Sequence, residues 1–291
     1  MLPFFYGLLR LMRPMEWSKS FGNMAIAAVA AHYAAGVQLD WLRFLIGFAS
    51  VALLWGGLYA LNDYTDRKAD SLHAVKRKRP LPSGAVPAKA GLAFSVALIA
   101  IAIAIAVQIN GTFLFLACIL IMLLNQLMYT MPPFNLKKKP VVDLISGSLV
   151  NPIFRFYSGW VLFVPAFNAP LPMLLFVLGL QFGGFGLYRM ASKDHEKKLG
   201  MKSSVVLFGE RKLRRLAYFS LLAGGLSYVF STLTALPWQY LALGIAMVIP
   251  APLYKTALKN PQEADMRRMY HILYIHYIAF IAGFIALQFF I

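Results

Sequence analysis

Three aspartates, Asp63, Asp66 and Asp70, begin within two residues of an apolar run long enough to cross a lipid bilayer. If this stretch is helical, the three carboxylates lie at i, i+3 and i+7 and share one face of the helix. Carboxylate oxygens grouped in this way suit Mg²⁺ ions that also hold phosphate oxygens. The basic run 76–79 follows within one loop, so cation-binding and anion-binding side chains occupy one short segment. This combination indicates a diphosphate ligand.

Acidic and basic residues on a helix more often form a solvated face held by weak ion pairs. The acids here stand at the end of a bilayer-length apolar stretch, directly after Asn62. That position favours a functional role over a solvated face. We therefore predict that the three aspartates are metal ligands and that Asn62 belongs to the same site.

The composition is that of a polytopic membrane protein. The chain has 291 residues, of which 60% are hydrophobic, and a mean hydropathy of +0.66, whereas soluble domains are nearer half apolar. No linker is long or polar enough to separate two domains, so residues 1–291 are expected to form a single transmembrane domain. At about 20 residues per crossing, the pattern predicts about nine transmembrane helices, at 22–38, 42–61, 91–109, 112–131, 142–162, 172–191, 216–234, 238–254 and 271–290.

The net charge of +17 would be compatible with nucleic-acid binding, but its placement argues against that partner. With the amino terminus in the cytoplasm, the basic residues of the loops near 62–90, 132–141, 192–215 and 255–270 all fall on one side, and the other side keeps only Arg43. This is the positive-inside pattern of membrane proteins. We expect a lipid bilayer as the partner, and the chemistry on the cytoplasmic face.

Two charged residues fall inside the fifth predicted helix. An unpaired Asp or Arg near the bilayer centre costs on the order of 2.5–3.5 kcal/mol, so Asp143 and Arg155 need partners or water. Arg155 lies four residues after Asn151 and two before Tyr157, which places part of this helix against a polar cavity. Either the charges form a structural ion pair, or Arg155 belongs to a wall of the active cavity.

Two lysines also have two interpretations each. Lys137 follows the loop 129–134, and Lys19 follows Trp17 at the entry to the first predicted helix. Either lysine could set topology at the membrane interface or face a phosphate group. The sequence alone leaves both possibilities open.

The first motif resembles that of the UbiA superfamily of intramembrane polyprenyl transferases. The family pattern NDxxDxxxD is matched in full by residues 62–70, and its basic loop ending in RPLPSG is matched by residues 79–84. The segment 129–137 is similar to the family's Tyr-Pro-rich loop that ends in Lys. The stretch 188–209 is similar to the region around the second acidic motif, so the resemblance covers most of the chain.

The second motif departs from the family pattern. Where the family commonly shows DxxxD, this chain has Ser192 and Glu196, with Asp194 between them. Ser192 and Glu196 would share a helical face, but a serine is a poor substitute for a charged metal ligand. The resemblance implies Asp194 and Glu196 as the remaining ligands, with Asp194 contributing if the backbone there is irregular.

The resemblance implies an all-α bundle around a cavity that opens laterally to lipid, with a polar cap on the cytoplasmic side. Mg²⁺ held by the acidic residues would bind the diphosphate of a polyprenyl donor. The implied site residues are Asp63, Asp66, Asp70, Asp194 and Glu196 as metal-binding and catalytic groups, and Asn62, Lys76, Arg79, Lys137, Arg155, Tyr157, Tyr188 and Lys202 as substrate-binding groups, the two tyrosines steadying an allylic cation through their ring faces.

The acceptor has two interpretations within the resemblance. The second region is similar to the branch that prenylates aromatic acids such as 4-hydroxybenzoate in quinone biosynthesis, which we take as the first prediction. Residues 17–19, the spacing from His73 to Arg79, and the pair 154–155 are more similar to the branch that joins a polyprenyl phosphate to phosphoribosyl diphosphate. An anionic-solute transporter is the alternative from another class, since intramembrane charges also mark transport sites. In each case we expect an integral protein of a bacterial inner or plasma membrane.

Overall fold

The computed structural model describes residues 2–72, 75–109, 113–198, 200–259 and 263–291, and all regular structure in these ranges is helical. A π-helical segment, Ser146–Val150, joins α6 to α7, and short 3₁₀ turns precede α2 and lie within two polar loops. The helices are α1 Leu2–Met12, α2 Trp17–Ala35, α3 Trp41–Ser71, α4 Ala88–Gln108, α5 Phe113–Thr130, α6 Val142–Ile145, α7 Asn151–Trp160, α8 Leu171–Lys198, α9 Ser204–Thr234, α10 Gln239–Ala246, α11 Ala251–Lys259 and α12 Glu263–Phe290.

Six segments of the described chain are long and apolar enough to cross a membrane, which confirms the expected all-α membrane fold. They coincide with six of the predicted helices and are Trp41–Ser71, Ala88–Gln108, Phe113–Thr130, Leu171–Asp194, Ser204–Thr234 and His271–Phe290. The count of nine stays a prediction. The range 22–38 falls largely within the buried helix α2, 142–162 contains the π-helical segment, and 238–254 is divided between α10 and α11.

Helix α3 carries the first acidic motif out of the apolar layer. It begins at Asp40, whose side chain accepts a hydrogen bond from the backbone N–H of Arg43 at 3.0 Å and so caps the helix. Its 31 residues span about 46 Å, against about 30 Å of hydrocarbon. The excess length places residues 62–71 at and beyond one membrane boundary, still in helical conformation.

The loop after the basic run forms a fixed turn, as the prolines and glycine predict. The N–H of Val86 donates to the carbonyl of Pro80 at 3.0 Å, and Gly84 has a φ of 77°, which favours glycine. Val86 and Leu81 pack with Leu11 of α1 and Ala60 of α3. This small apolar cluster holds the end of α1 and the turn against the acidic end of α3.

Helix α7 lies unusually close to α2. A Cβ atom on Gly159 would lie 2.3 Å from the carbonyl oxygen of Met24, so only glycine permits this approach. The large apolar core includes Met24, Trp55 and Phe156, from α2, α3 and α7. The packing fixes the position of Arg155, which lies on α7 one turn before Gly159.

Candidate active site

One face of α3 organises the site. Trp55, Tyr59 and Asp63 follow each other at four-residue intervals, and Asp70 lies seven residues further on. Residues at these spacings stack along one side of a helix, so about 12 Å of helix axis separates Trp55 from Asp63. The side chains of Trp55 and Tyr59 line a cavity of about 1320 Å³. The cationic side chains near Asp63, which are Arg13, Lys76 and Arg79, line the same cavity.

Asp63 and Asp70 share one arginine. Nη1 of Arg79 lies 3.1 Å from Oδ1 of Asp63 and 2.7 Å from Oδ2 of Asp70. Oδ1 of Asp63 also accepts a bond from Nη2 of Arg13 at 2.5 Å, and Nζ of Lys76 lies 3.9 Å from Oδ1 of Asp70. Both carboxylates are buried, whereas Arg13, Lys76 and Arg79 line the cavity. The structure therefore brings the predicted Asp63, Asp70, Lys76 and Arg79 together.

Asp66 faces a different loop. Both of its carboxylate oxygens accept bonds from Nζ of Lys137, at 2.7 and 2.9 Å. The neighbouring Asn62 accepts a bond from the hydroxyl of Thr130 at 3.3 Å. Within the described ranges, no three metal-ligating side chains converge on one point. The first motif thus consists of a pair, Asp63 and Asp70, and a separate Asp66 that ties the 131–141 loop to α3.

Arg155 lies further along the cavity. Its guanidinium carbon lies 3.8 Å from the centre of the Trp55 ring, a stacked cation–π contact. The residue is 5% exposed, lines the cavity, and its Nε has no hydrogen-bond partner among the described residues. The indole N–H of Trp55 is likewise buried without a partner there. These donors indicate a place for an anionic or hydrogen-bond-accepting ligand.

A carboxylate that the sequence analysis did not single out also lines the cavity. Glu16 accepts bonds from Nζ of Lys19 at 2.7 Å and from the hydroxyl of Tyr274 at 2.8 Å. Burial acts to raise the pKa of Glu16, but Lys19 and the two hydrogen bonds outweigh it and lower this pKa from 4.5 to about 2. Glu16 is therefore ionised at neutral pH and holds Lys19 at the cavity wall.

A mostly apolar arm of the cavity extends between α8, α9 and α10. Its lining there includes Leu180, Leu221, Leu226, Ile245 and Val248. Leu226, Ile245 and Val248 are also exposed on the outer surface. A cavity lined by such residues opens sideways, towards the lipid, as the predicted architecture requires.

The second acidic region forms a closed, buried network centred on Arg189. Nη2 of Arg189 donates at 2.8 Å both to Oδ2 of Asp143 and to Oε2 of Glu196, and its Nη1 lies 2.7 Å from Oε1 of Glu196. Ser203 also donates to Glu196, and Ser204 to Asp143. The ion pair expected for Asp143 is present, but its partner is Arg189 of α8, not Arg155.

The other predicted residues lie apart from these clusters. Asp194 is exposed on α8, whose backbone is helical through Lys198, so the irregular backbone that would bring Asp194 next to Glu196 is absent in this segment. Lys202 is exposed on the loop before α9. Tyr157 lies outside the cavity lining, and its hydroxyl donates to the carbonyl of Phe167 at 3.4 Å. The side chain of Tyr188, and His73 as a whole, lie outside the described residues.

Sequence reasoning missed several residues that the structure places in the site. Tyr59 and Trp55 could have been found, because they precede Asp63 at helical spacing on the same face. Arg13 carried no such signal, because its partner Asp63 lies 50 residues away in the chain. Arg189 precedes Glu196 by seven residues, a helical spacing, but its other partner, Asp143, lies 46 residues away.

A profile of the UbiA prenyltransferase family matches residues 23–284, nearly the whole chain. The chain belongs to this family. Its members are prenyl-transferring enzymes, so the transporter alternative is set aside and the chain is an integral membrane transferase.

Individual relatives differ in what they transfer. A decaprenyl-phosphate phosphoribosyltransferase from Mycobacterium tuberculosis (strain CDC 1551 / Oshkosh) is 27% identical over 216 residues, covering 69% of this chain and 67% of the relative. Protoheme IX farnesyltransferase 1 from Pyrobaculum aerophilum is 28% identical over 262 residues, covering 85% and 88%. The fold matches that of a UbiA homologue from Archaeoglobus fulgidus bound to GPP and Mg²⁺, with a TM-score of 0.73 at 19% identity over 96% of this chain and 99% of that one. The shared fold does not specify the substrate.

Proposed function

We propose that this chain is a Mg²⁺-dependent polyprenyltransferase that moves a polyprenyl group from its diphosphate to a small aromatic acid such as 4-hydroxybenzoate, a reaction of quinone-lipid biosynthesis in which diphosphate and a proton are released. The proposal rests on cationic side chains at two positions along one face of α3, each suited to binding an anion. One lies at Asp63 and Asp70 with several cations, and the other is the single guanidinium of Arg155.

The first place fits a divalent cation and a diphosphate. A single positively charged group, the Nη1 nitrogen of Arg79, already lies within hydrogen-bond distance of both Asp63 and Asp70. Among the described residues no donor reaches Oδ2 of Asp63, so this carboxylate keeps free acceptor capacity. Asp63 and Asp70 would hold Mg²⁺, which supplies Lewis-acid polarisation of the diphosphate oxygens. Asp66 would join Asp63 and Asp70 as a metal ligand only if its ion pair with Lys137 were broken.

The second place fits one planar carboxylate. A guanidinium presents its N–H groups as a flat fork that pairs with a carboxylate in bidentate fashion. The cation–π contact with Trp55 holds the guanidinium of Arg155 at the cavity wall, and burial strengthens its attraction for an anion. Tyr277 and Tyr59 line the same cavity and offer aromatic surface to a ring. An aromatic acid satisfies both features.

The chain's own groups support ionisation of the donor. As the allylic C–O bond breaks, negative charge grows on the departing diphosphate, and Arg13, Lys76 and Arg79 lie at the cavity wall to stabilise it. Positive charge spreads over the allyl group. The ring of Tyr59, which lies 5.1 Å from the guanidinium of Arg13, lines the cavity and would steady that charge through its face. The apolar arm of the cavity would take the isoprenoid tail.

A second candidate function is the transfer of phosphoribose from its diphosphate to a polyprenyl phosphate. Basic side chains far outnumber acids along the cavity, where Glu16 is the acid among the described lining residues and Arg10, Arg13, Lys19, Lys76, Lys78, Arg79, Arg155 and Lys255 are the cations. Such an excess suits a substrate pair with several phosphates. The similarity to a phosphoribosyltransferase points the same way. In this case the Mg²⁺ would bind the sugar diphosphate and Arg155 the lipid phosphate.

An assay with two arms distinguishes the candidates. Purified protein in detergent receives either labelled 4-hydroxybenzoate with a polyprenyl diphosphate, or labelled phosphoribosyl diphosphate with a polyprenyl phosphate, each with Mg²⁺. We expect lipid-soluble product in the first arm. Product in the second arm alone would replace the aromatic acceptor with the phosphoribosyl reaction, and no product in either arm would reject both.

Arg155 variants connect the assay to the structure. Arg155→Met should raise KM for the anionic acceptor about 10-fold to 100-fold, because a charge-assisted hydrogen bond contributes about 1.5–3 kcal/mol. KM for the diphosphate donor should change little. Arg43→Met, near the opposite membrane boundary, is the matched control. An unchanged acceptor KM in Arg155→Met would remove Arg155 from the site. We also propose that the site opens on the cytoplasmic side of a bacterial inner or plasma membrane, because the positive-inside pattern predicts that the basic loops face the cytoplasm.

A further inference from the structure

The two buried carboxylates of the second acidic region, Asp143 and Glu196, have no acceptor capacity left for a metal ion. Oδ1 of Asp143 accepts from the Ser204 hydroxyl and from the N–H of Leu144 at 2.9 Å, and Oδ2 accepts from Arg189 at 2.8 Å and from the N–H of Ser204 at 3.0 Å. Each oxygen of this carboxylate therefore has two donors. A carboxylate oxygen offers about two lone-pair sites, so Asp143 is saturated.

Glu196 is saturated in the same way. Its Oε1 accepts from the Ser192 hydroxyl at 2.6 Å and pairs with Nη1 of Arg189 at 2.7 Å. Its Oε2 accepts from Nη2 of Arg189 at 2.8 Å and from the Ser203 hydroxyl. A divalent ion could bind here only by displacing several of these donors.

The cation at the centre is also built into the scaffold. Arg189 and Glu196 are seven residues apart on α8 and so lie on one face of the same helix. The side chain of Arg189 is 6% exposed, and the two carboxylates it bridges are equally buried. Removing one partner of a buried ion pair is strongly destabilising, because it leaves an uncompensated charge. The guanidinium is therefore a permanent part of this region.

We infer that Arg189 takes the place of a divalent cation between Asp143 and Glu196, so that the second acidic region binds no metal and instead fixes the α8–α9 connection to α6. This inference rests on the proposed function only for the location of Mg²⁺, at Asp63 and Asp70. Arg189 is then a positioning residue. Its guanidinium holds Glu196 and Asp143, and through Ser203 and Ser204 these carboxylates hold the start of α9.

Counting bound Mn²⁺ tests the inference directly. Purified protein is titrated with Mn²⁺ alone, and the free ion is measured by electron paramagnetic resonance. Glu196→Gln should bind as much Mn²⁺ as the wild type, as should the control Glu210→Gln, an equivalent change on α9 outside the network. A loss of bound Mn²⁺ in Glu196→Gln but not in Glu210→Gln would overturn the inference.

Removal of the guanidinium gives a second, independent test. Arg189→Met should unfold at a lower temperature and should gain a Mn²⁺ site that the wild type lacks, with Mn²⁺ raising its melting temperature more than that of the wild type. A folded Arg189→Met protein without that gain would mean that Asp143 and Glu196 do not form a cation site, and would refute the assignment. If Arg189→Met does not fold, the Glu196→Gln titration decides alone.

A different variant tests the location of Mg²⁺ in the proposed function. Asp63→Asn should lower Mn²⁺ binding if the first motif holds the metal. Equal binding in Asp63→Asn and wild type would count against Mg²⁺ at Asp63, while the result for Glu196→Gln would still decide the role of Arg189.

Discussion

The two acidic regions contain the same kinds of groups and use them differently. Each has two buried carboxylates bridged by an arginine, Arg79 in the first region and Arg189 in the second. Arg79 comes from a loop, lines the cavity and has 26% of its side chain exposed, whereas Arg189 comes from the same helix as Glu196 and has 6% exposed. A bridging arginine on a partly exposed loop can move away, so that a ligand takes its position between the carboxylates. A bridging arginine that is buried on a packed helix stays in place.

The two regions also differ in how many acceptor positions on their carboxylate oxygens are already occupied. In the second region every carboxylate oxygen has two partners, one of them a hydroxyl or a backbone N–H. In the first region no donor among the described residues reaches Oδ2 of Asp63. The availability of lone pairs, rather than the number of acids, separates a candidate metal site from a structural ion pair.

The largest expected effect tests the first region. Asp63→Asn should lower the transfer rate about 100-fold or more, because a neutral amide would hold less tightly the Mg²⁺ that stabilises the departing diphosphate, and chelation of divalent ions with EDTA should abolish activity in the wild type. Both are measured as product formed per minute. Asp40→Asn, at the other end of α3, retains a capping side chain and serves as the control. Near-normal activity in Asp63→Asn would contradict the metal role.

An intermediate effect tests the second region. Ser192→Asp replaces a donor to Glu196 with a second carboxylate, and should lower the free energy of unfolding by about 1–3 kcal/mol, seen as a lower melting temperature that Mg²⁺ raises by no more than it raises that of the wild type. Ser192→Ala removes the donor without adding charge and should cost less. Greater stabilisation of Ser192→Asp than of the wild type by Mg²⁺ would show that this region can still hold a metal.

The smallest expected effect concerns the link between Asp66 and the 131–141 loop. The side chain of Asp66 is 32% exposed, and partly exposed ion pairs contribute at most about 1 kcal/mol. Lys137→Gln should therefore change KM for the diphosphate donor by less than about fivefold, with Lys138→Gln as the neighbouring control. A loss as large as that of Asp63→Asn would assign Lys137 to the phosphates themselves.

The features that sequence predicted well are local in the chain. The lengths of the apolar runs predicted all six membrane-length helices of the described chain, and proline and glycine predicted the turn after Arg79. Lys137, for which the sequence left open a topological and a phosphate-facing role, contacts Asp66 of the first motif. The expectation that Asp143 needs a partner was physically sound, because an unpaired charge in an apolar layer is costly.

The identity of distant partners could not be predicted in this way. Arg155 and Arg189 both lie in predicted membrane-spanning segments. Helical periodicity does not specify which of them pairs with Asp143. Tyr157 has suitable spacing for a cavity wall, yet its hydroxyl reaches the carbonyl of Phe167. These outcomes depend on how helices cross and rotate against one another.

The sequence by itself determined that this is an all-helical membrane enzyme with an acidic motif at the end of an apolar helix long enough to cross a bilayer, because hydrophobic length, helical spacing and motif identity are properties of continuous segments. Only the tertiary structure decided which charges are available to a ligand. Availability depends on whether donors from α1, α7, α8 and the loops already occupy a given oxygen, and those donors are brought there by packing between segments far apart in the chain.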